Sequence, residues 1–183
     1  MADLEGSTRK ALLTQLMERL LANGSWCGET HVQKCVYFLQ DLHQVPVGYD
    51  FVLYKHGPYS FDLHDELIEM KAYGLLVTEP RSPYGPTLKP GERANALLER
   101  RQRLGSLYPE QVEEVAKRFG NATATDLEHL ATALFITKRQ RSASRDRATT
   151  LNRLKPHISI RDAQSAVAAV DQLLATGAGQ PAG

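Results

Sequence analysis

The spacing of apolar and polar residues along the chain predicts a protein built mainly from helices. After Ser7, apolar side chains recur three or four positions apart at Leu12, Leu13, Leu16 and Leu20, which places them on one helical face. The same spacing predicts further helices at residues 29–43, 61–73, 97–104, 109–119, 125–137, 145–154 and 159–174. The part of the chain after residue 96 is therefore expected to be all helical.

Short strands are predicted on either side of the helix at residues 61–73. Residues 50–55 are rich in aromatic and branched side chains. Residues 75–79 and 87–89 flank a Pro- and Gly-rich connection, which is typical of a β-hairpin. Between the first strand and the helix, the residues 56–60 (His-Gly-Pro-Tyr-Ser) predict a turn in which glycine gives backbone freedom and serine caps the helix.

This order of elements predicts an α+β, mainly α fold. Two helices, a strand, a third helix and a small β-hairpin indicate a winged-helix-like core over residues 1–95. Residues 96–175 are expected to form a helical extension packed on that core, so that the two parts make one domain. Residues 176–183 consist mostly of Gly, Ala and Pro and predict a disordered tail.

The two halves of the chain carry opposite charge, although the formal net charge of the whole chain is only +1. Residues 1–80 contain 6 Lys/Arg and 11 Asp/Glu, a net charge of −5, whereas residues 81–183 contain 16 Lys/Arg and 10 Asp/Glu, a net charge of +6. Such an asymmetry indicates two surfaces that suit different partners.

No catalytic signature appears along the chain, so we expect a protein that is not an enzyme and needs no cofactor. The Gly-rich phosphate loop, the dinucleotide fingerprint, the nucleophile elbow and the HExxH zinc motif are all missing. His64 beside Asp65, or His56 near Ser60, would be the conceivable acid–base pairs. Isolated histidines near turns and helix surfaces are common, however, and we favour a structural role for them.

Metal binding and membrane insertion are not expected either. The two cysteines, Cys27 and Cys35, match no tetrahedral ligand spacing together with His31. They are interpreted as reduced structural residues, which suits a cytoplasmic protein. The chain contains no apolar run of the roughly 18–20 residues that cross a bilayer, and its first residues do not resemble a secretory signal.

The helix at residues 61–73 is strongly acidic. At 100° per residue, Asp62, Glu66 and Glu69 lie close together on one strip, with Asp65 at its margin. Two apolar flanks are expected to hold the helix on both sides: Leu63, Leu67 and Met70 on one, and Phe61, Ile68 and Ala72 on the other. Because duplex DNA carries about one negative charge per 1.7 Å, this strip would be repelled from a groove. It is either a solvated face or a surface for a basic protein.

The basic half gives the opposite signal. Lys138, Arg139, Arg141, Arg145 and Arg147 fall within ten residues, and such a cluster can neutralise phosphates. Together with Arg81 in the predicted wing, these residues are the candidates for nucleic-acid contact. The alternative is that they are solvated helix ends, where cations are favourable.

Four segments of the chain resemble a known family. Residues 34–40, 51–60 (with Leu-Tyr-Lys-His-Gly-Pro-Tyr-Ser), 74–76 and 154–159 are similar to the YwgA-like family, which is related to the Panacea antitoxin domains. The resemblance spans roughly residues 10–175. It implies a winged-helix-type fold without catalytic residues and a role in toxin–antitoxin systems. A similar domain at the C-terminus of macrodomain antitoxins is implied to cover the single-stranded DNA site of a DNA ADP-ribosylating toxin.

These observations lead to a hypothesis of an antitoxin-like binding module. The predicted partner is a basic, nucleic-acid-binding toxin, contacted by the acidic strip and by flanking residues of the turn. The predicted partner-binding residues are Tyr54, His56, Tyr59, Asp62, Asp65, Glu66 and Glu69. A DNA-binding winged-helix regulator that uses the basic residues is the main alternative, and a proteolytic adaptor is a third.

Overall fold

The computed structural model describes residues 3–102, 108–140 and 143–176. It shows a mainly helical chain with two small antiparallel sheets, so the predicted α+β, mainly α class is confirmed. The winged-helix-like assignment stays a prediction, because the order of elements alone does not fix how the helices cross.

The first two helices form the base of the core. Helix α1 spans Gly6–Ala22, and α2 spans Glu29–Tyr37. A π-helical turn at Phe38–Leu42 continues α2 without a break, because Tyr37 and Phe38 both keep helical backbone angles. The predicted helix at residues 29–43 is thus confirmed in extent, and its last turn is wider than an α-helical one.

The segment predicted as a strand and a turn forms a complete hairpin. Strand β1 (Val52–Tyr54) pairs antiparallel with β2 (Gly57–Tyr59), and Tyr54 lies opposite Gly57. Gly57 has φ +84°, and a Cβ there would lie 2.8 Å from Oγ1 of Thr132. Only glycine fits this position without strain, because other residues rarely adopt such a φ and the hairpin packs closely on a helix of the second half.

Helix α3 and a second hairpin complete the first half. Helix α3 spans Phe61–Ala72, and the Ser60 hydroxyl accepts a hydrogen bond from its first turn, as predicted. Strands β3 (Leu76–Arg81) and β4 (Tyr84–Pro90) pair antiparallel and are longer than the sequence indicated. Gly28 also forms a single β-bridge with Thr87 of β4.

Helix α3 is held on one side only, which corrects the sequence prediction. Leu63, Leu67 and Met70 are buried as expected. Phe61 and Ile68, predicted as a second buried flank, are 53% and 55% exposed. Ala72, the third residue of that flank, is exposed as well. Within the described residues this side is covered only in part, by the rings of Tyr54 and Tyr59 beside Phe61. Helix α3 therefore presents much of Phe61 and Ile68 to solvent beside its carboxylates.

The second half is helical, as predicted. Its helices are α4 (Ala94–Gln102), α5 (Pro109–Phe119), α6 (Ala124–Arg139), α7 (Ser144–Leu154) and α8 (Ile160–Ala175). Ser159, the first residue of the predicted helix at 159–174, caps α8. Helix α6 begins at Ala124, one residue before its predicted start, because Thr123 forms a reciprocal capping box with Asp126. Of the tail predicted at residues 176–183, Thr176 caps the C-terminus of α8, and residues 177–183 lie outside the described residues.

The two halves share one hydrophobic core. The ring of Phe38 stacks on Phe119, with centroids 4.1 Å apart. Tyr37 contacts Phe51 of the first half and Phe135 of α6. Among the described helices, none is long and apolar enough to cross a membrane.

Candidate functional site

The β1–β2 hairpin joins four parts of the fold. The Lys34 ammonium group of α2 donates a hydrogen bond to the Pro58 carbonyl at 2.7 Å. The side-chain amide of Gln33 pairs with both the N–H and the C=O of Ser60. Lys155, from the loop between α7 and α8, donates to the carbonyls of Tyr54 and Lys55. Three of the four segments that carry the family resemblance, residues 34–40, 51–60 and 154–159, therefore meet at this hairpin.

Three aromatic rings cluster where the hairpin meets α3. The Tyr59 ring lies 5.2 Å from that of Phe61, and the Tyr54 ring lies 5.6 Å from Phe61 and 5.7 Å from Tyr59. These separations are typical of attractive edge-to-face and tilted pairs. Tyr54 is 45% exposed and Phe61 53% exposed, so the cluster faces solvent.

Two carboxylates border this ring cluster. Asp62 and Asp65 are exposed on α3, and within the described part of the chain neither forms an ion pair. We call Tyr54, Tyr59, Phe61, Asp62 and Asp65 the aromatic–acidic face. Partial burial raises the pKa of Tyr59, and negative charge at neighbouring carboxylates, including Asp65, raises it further. The face thus combines apolar area with an unbalanced negative charge.

A pair of polar contacts anchors Tyr59 and the first turns of α3. The Glu29 carboxylate of α2 accepts a hydrogen bond from the Tyr59 hydroxyl at 3.0 Å. The same oxygen lies 2.7 Å from Nδ1 of His64. These contacts fix the aromatic–acidic face relative to α2, so its rings are held in place before any partner binds.

Glu66, predicted to lie on the exposed strip, is buried, and that expectation is wrong. Its carboxylate lies 2.6 Å from Nε of Arg9 in α1 and accepts a hydrogen bond from the Tyr49 hydroxyl at 2.7 Å. At 100° per residue Glu66 borders the flank of Leu63 and Met70, and Arg9 supplies the charge that makes its burial possible. Glu66 therefore fixes α3 to α1 and is not available to a partner.

Glu69 and His56 also differ from the predicted arrangement. Glu69 stays on the surface, but its carboxylate lies 2.9 Å from Nζ of Lys10, which offsets its charge. His56 lies at the turn of the hairpin with its side chain 71% exposed, and Nδ1 points to Glu128 of α6 at 3.5 Å. His56 thus faces α6, and the structure does not bring it to the aromatic–acidic face.

The predicted nucleic-acid residues are scattered. Arg147 is buried and its guanidinium binds the Asp171 carboxylate at 2.8 Å, so the expectation that it is free to contact phosphate is wrong. Arg139 lies over the Phe135 ring, with its guanidinium carbon 3.5 Å from the centroid. Lys138 and Arg145 are exposed. Arg141 lies outside the described residues.

Arg81, the remaining candidate for nucleic-acid contact, lies against two aromatic rings at the β3–β4 hairpin. Its guanidinium carbon lies 5.2 Å from the ring centroids of both Trp26 and Tyr84. Such stacking fixes the orientation of the guanidinium. The pairing with Trp26 could not be read from the sequence, because 55 positions separate the two residues.

An apolar groove between α3 and the β3–β4 hairpin extends the aromatic–acidic face. Its volume is about 400 Å³. Trp26, Leu67, Ile68, Leu76 and Leu88 form its walls. The sequence prediction missed this groove because it placed Ile68 in the interior. The exposed Ile68 lies on the same side of α3 as Phe61 of the ring cluster and forms part of the groove wall.

A cluster of charged side chains on the other side of the β1–β2 hairpin was also missed. We call Lys34, His56, Glu128, Lys155 and His157 the Glu128 cluster. These residues come from four separate parts of the chain, with Lys155 and His157 in the same loop, so no local motif indicates the cluster. No group of three or more His, Cys, Asp or Glu side chains within residues 3–102, 108–140 and 143–176 is arranged to hold a metal ion.

Comparison with known proteins does not assign the chain to a family. Neither the family models nor the curated proteins give a match.

Proposed function

We propose that this chain is a non-catalytic, antitoxin-like module that binds and neutralises a nucleic-acid-modifying toxin of the DNA ADP-ribosyltransferase type. It does so by covering the toxin's nucleic-acid site. The observation that supports the proposal is the aromatic–acidic face, where the exposed rings of Tyr54 and Phe61 and the half-buried ring of Tyr59 adjoin the carboxylates of Asp62 and Asp65.

The composition of this face suits a basic groove that otherwise holds single-stranded nucleic acid. Such grooves combine cationic side chains, which track the phosphates, with aromatic platforms, on which bases stack. The carboxylates of the face offer charge to the cations, and the rings offer flat apolar surfaces to the platforms. Exposed aromatic residues of this kind contribute much of the binding energy in many interfaces.

The charge contribution is tested with a variant that neutralises the surface carboxylates. Asp62→Asn, Asp65→Asn and Glu69→Gln are combined, and Glu66 is left unchanged because it is buried. The probe is a DNA ADP-ribosylating toxin from the same host, titrated calorimetrically at low and moderate salt. We expect at least a tenfold loss of affinity at low salt and a shallower salt dependence, because electrostatic attraction is screened by ions.

A matched control carries the same change in charge elsewhere. Glu92→Gln, Glu110→Gln and Asp146→Asn neutralise three exposed acidic residues on other elements. This control should bind the toxin as the unaltered protein does. Equal affinity and equal salt dependence in the three proteins would contradict the proposal.

A DNA-binding regulator is the second candidate, favoured by the position of Arg81 between two aromatic rings. Its test is fluorescence anisotropy with labelled duplex and single-stranded DNA. Micromolar binding that weakens with salt and is lost in Arg81→Ala would support the regulator over the antitoxin-like module. Binding that is unaffected by Arg81→Ala would count against this candidate.

A further inference from the structure

A cavity lies between the β1–β2 hairpin, α6 and the loop between α7 and α8. Its volume is about 510 Å³. Lys55 and His56 of the hairpin, Glu128 of α6 and His157 of the loop contribute to its walls, and Thr30 of α2 closes one side. Its charged residues differ from those of the aromatic–acidic face, so it is independent of the proposed function.

Glu128 is the centre of the contacts around this cavity. Its side chain is only 9% exposed. One oxygen, Oε1, lies 3.0 Å from Nε2 of His157 and 4.0 Å from Nζ of Lys155. The other oxygen, Oε2, lies 3.5 Å from Nδ1 of His56. Both oxygens are thus engaged with cationic or imidazole nitrogens, which reduces the repulsion that an anion in the cavity would meet.

Cations outnumber the single carboxylate at this place. Lys34 and Lys155 are buried beside Glu128, and Lys55 stands at the rim of the cavity. Without counting the histidines, these three lysines and Glu128 give a surplus of two positive charges. Lys34 and Lys155 cannot turn to solvent, because main-chain carbonyls of the hairpin hold their ammonium groups. The single carboxylate of Glu128 balances the charge of only one of these two buried ammonium groups, and a bound anion would offset the other.

In their protonated, imidazolium form, the rings of His56 and His157 offer donors to such an anion, because each ring then carries an N–H on both nitrogens. His56 uses Nδ1 toward Glu128, and His157 uses Nε2. Within the described part of the chain, His56 Nε2 and His157 Nδ1 have no hydrogen-bond partner. The two rings contact different oxygens of one carboxylate, which brings them to the same end of the cavity.

We propose that this cavity binds a phosphate monoester, with the phosphoryl oxygens held by Lys55, His56 and His157. The two negative charges of the phosphoryl group are offset by the surplus positive charge of the lysines, to which the imidazolium forms of His56 and His157 add. The volume leaves room for a group of nucleoside size, since pockets for small molecules commonly measure about 300–1,000 Å³. The ester is either a free mononucleotide or the terminal phosphate of a nucleic-acid strand.

The proposal is tested by titrating the full chain with inorganic phosphate and with adenosine monophosphate. The histidine ring signals are followed in ¹H–¹³C spectra. We expect the signals of His56 and His157 to shift with saturation in the low-millimolar range or below, about 1 mM. The ring signal of His129, on α6 beside Glu128 but lining a different depression, should not move.

The variant His56→Ala/His157→Ala should weaken phosphate binding at least tenfold. Both side chains are more than half exposed, so the variant should keep the fold, which its far-ultraviolet circular dichroism checks. His129→Ala is the matched control and should bind phosphate as the unaltered protein does. An absence of shifts at His56 and His157, or equal weakening in the two variants, would overturn the proposal.

A 5′-phosphorylated oligonucleotide, compared with the same strand lacking the phosphate, separates the two sources of the ester. Tighter binding of the phosphorylated strand identifies strand ends as the ligand. Binding of adenosine monophosphate without any effect of the strand's phosphate identifies a free nucleotide. Equal binding of both strands, with no response to adenosine monophosphate, would contradict a phosphate monoester site.

Discussion

Lys34 is a buried lysine whose ammonium group binds the Pro58 carbonyl. Burial lowers its pKa to about 8 from the usual 10.5, although the nearby Glu128 carboxylate opposes the change. The folded protein therefore gives up this proton near pH 8, whereas the unfolded chain keeps it up to about pH 10.5. Between these values the unfolded state binds more protons, so folding becomes less favourable as the pH falls.

Replacing Lys34 with Met should remove this dependence on pH. We expect the unaltered protein to lose up to about 3 kcal/mol of unfolding free energy relative to Lys34→Met as the pH falls from 10.5 to 8. Urea unfolding at several pH values measures the difference. The control Lys55→Met alters an exposed lysine of the same hairpin and should keep the pH dependence of the unaltered protein. Parallel pH profiles for Lys34→Met and the unaltered protein would contradict the lowered pKa.

The sequence pattern does not predict contacts between residues that are far apart in the chain. The helical pattern correctly predicted that Leu63 and Met70 are buried. It could not show that Glu66 is buried as well, because the compensating Arg9 lies 57 positions away. Burial of a carboxylate depends on such a partner, and helical periodicity contains no information about it.

Helix α6 illustrates how an element is defined by its cap. Thr123 accepts a hydrogen bond from the N–H of Asp126, and the Asp126 carboxylate accepts one from the N–H of Thr123. The sequence contains a threonine at position 125 too, and a capping box that starts there looks equally favourable by composition. The backbone decides between them, since Thr123 is extended and Thr125 lies within the helix.

Thr123→Ala should lower the unfolding free energy by about 1 kcal/mol, because the first turn of α6 loses its capping acceptor. Thr125→Ala removes a hydroxyl from the same turn but no cap, and should change stability by less than about half that amount. Thermal unfolding of the two variants measures the difference. A larger loss in Thr125→Ala than in Thr123→Ala would contradict the capping assignment.

Element types were predicted more accurately than their surroundings. The helices after residue 108, the Ser60 and Ser159 caps and the β3–β4 hairpin all follow from local pattern. The β1–β2 pairing was missed because Gly57 and Pro58 read as a turn, although they also form a short strand. The Glu128 cluster was missed because Lys34 and Lys155 meet through the fold and not through any motif.

At the scale of the whole molecule, the two halves depend on each other for their core. The stacked rings of Phe38 and Phe119 belong to opposite halves, and Gly57 packs against α6. A hairpin as small as β1–β2 is not stable alone. It gains its stability here from lysines on α2 and on the loop between α7 and α8.

The two halves should therefore unfold in a single transition. Trp26, the only tryptophan of the chain, reports on the first half by fluorescence. Circular dichroism reports on the helices of both halves, so it includes the second half, which Trp26 does not report on. We expect the two urea transitions to coincide within error, as in a two-state domain. A midpoint for Trp26 fluorescence clearly below that of circular dichroism would show that the halves unfold independently.

The carbonyl contacts of the β1–β2 hairpin have a consequence for the chemical reactivity of Lys34. A lysine with a pKa of about 8 has an appreciable fraction of neutral, nucleophilic amine under mildly alkaline conditions. The hairpin nevertheless covers this amine, so an acylating reagent reaches it only while the hairpin is open. The rate at which Lys34 is acylated, compared with that of exposed Lys55, therefore measures how often this junction of four structural elements opens.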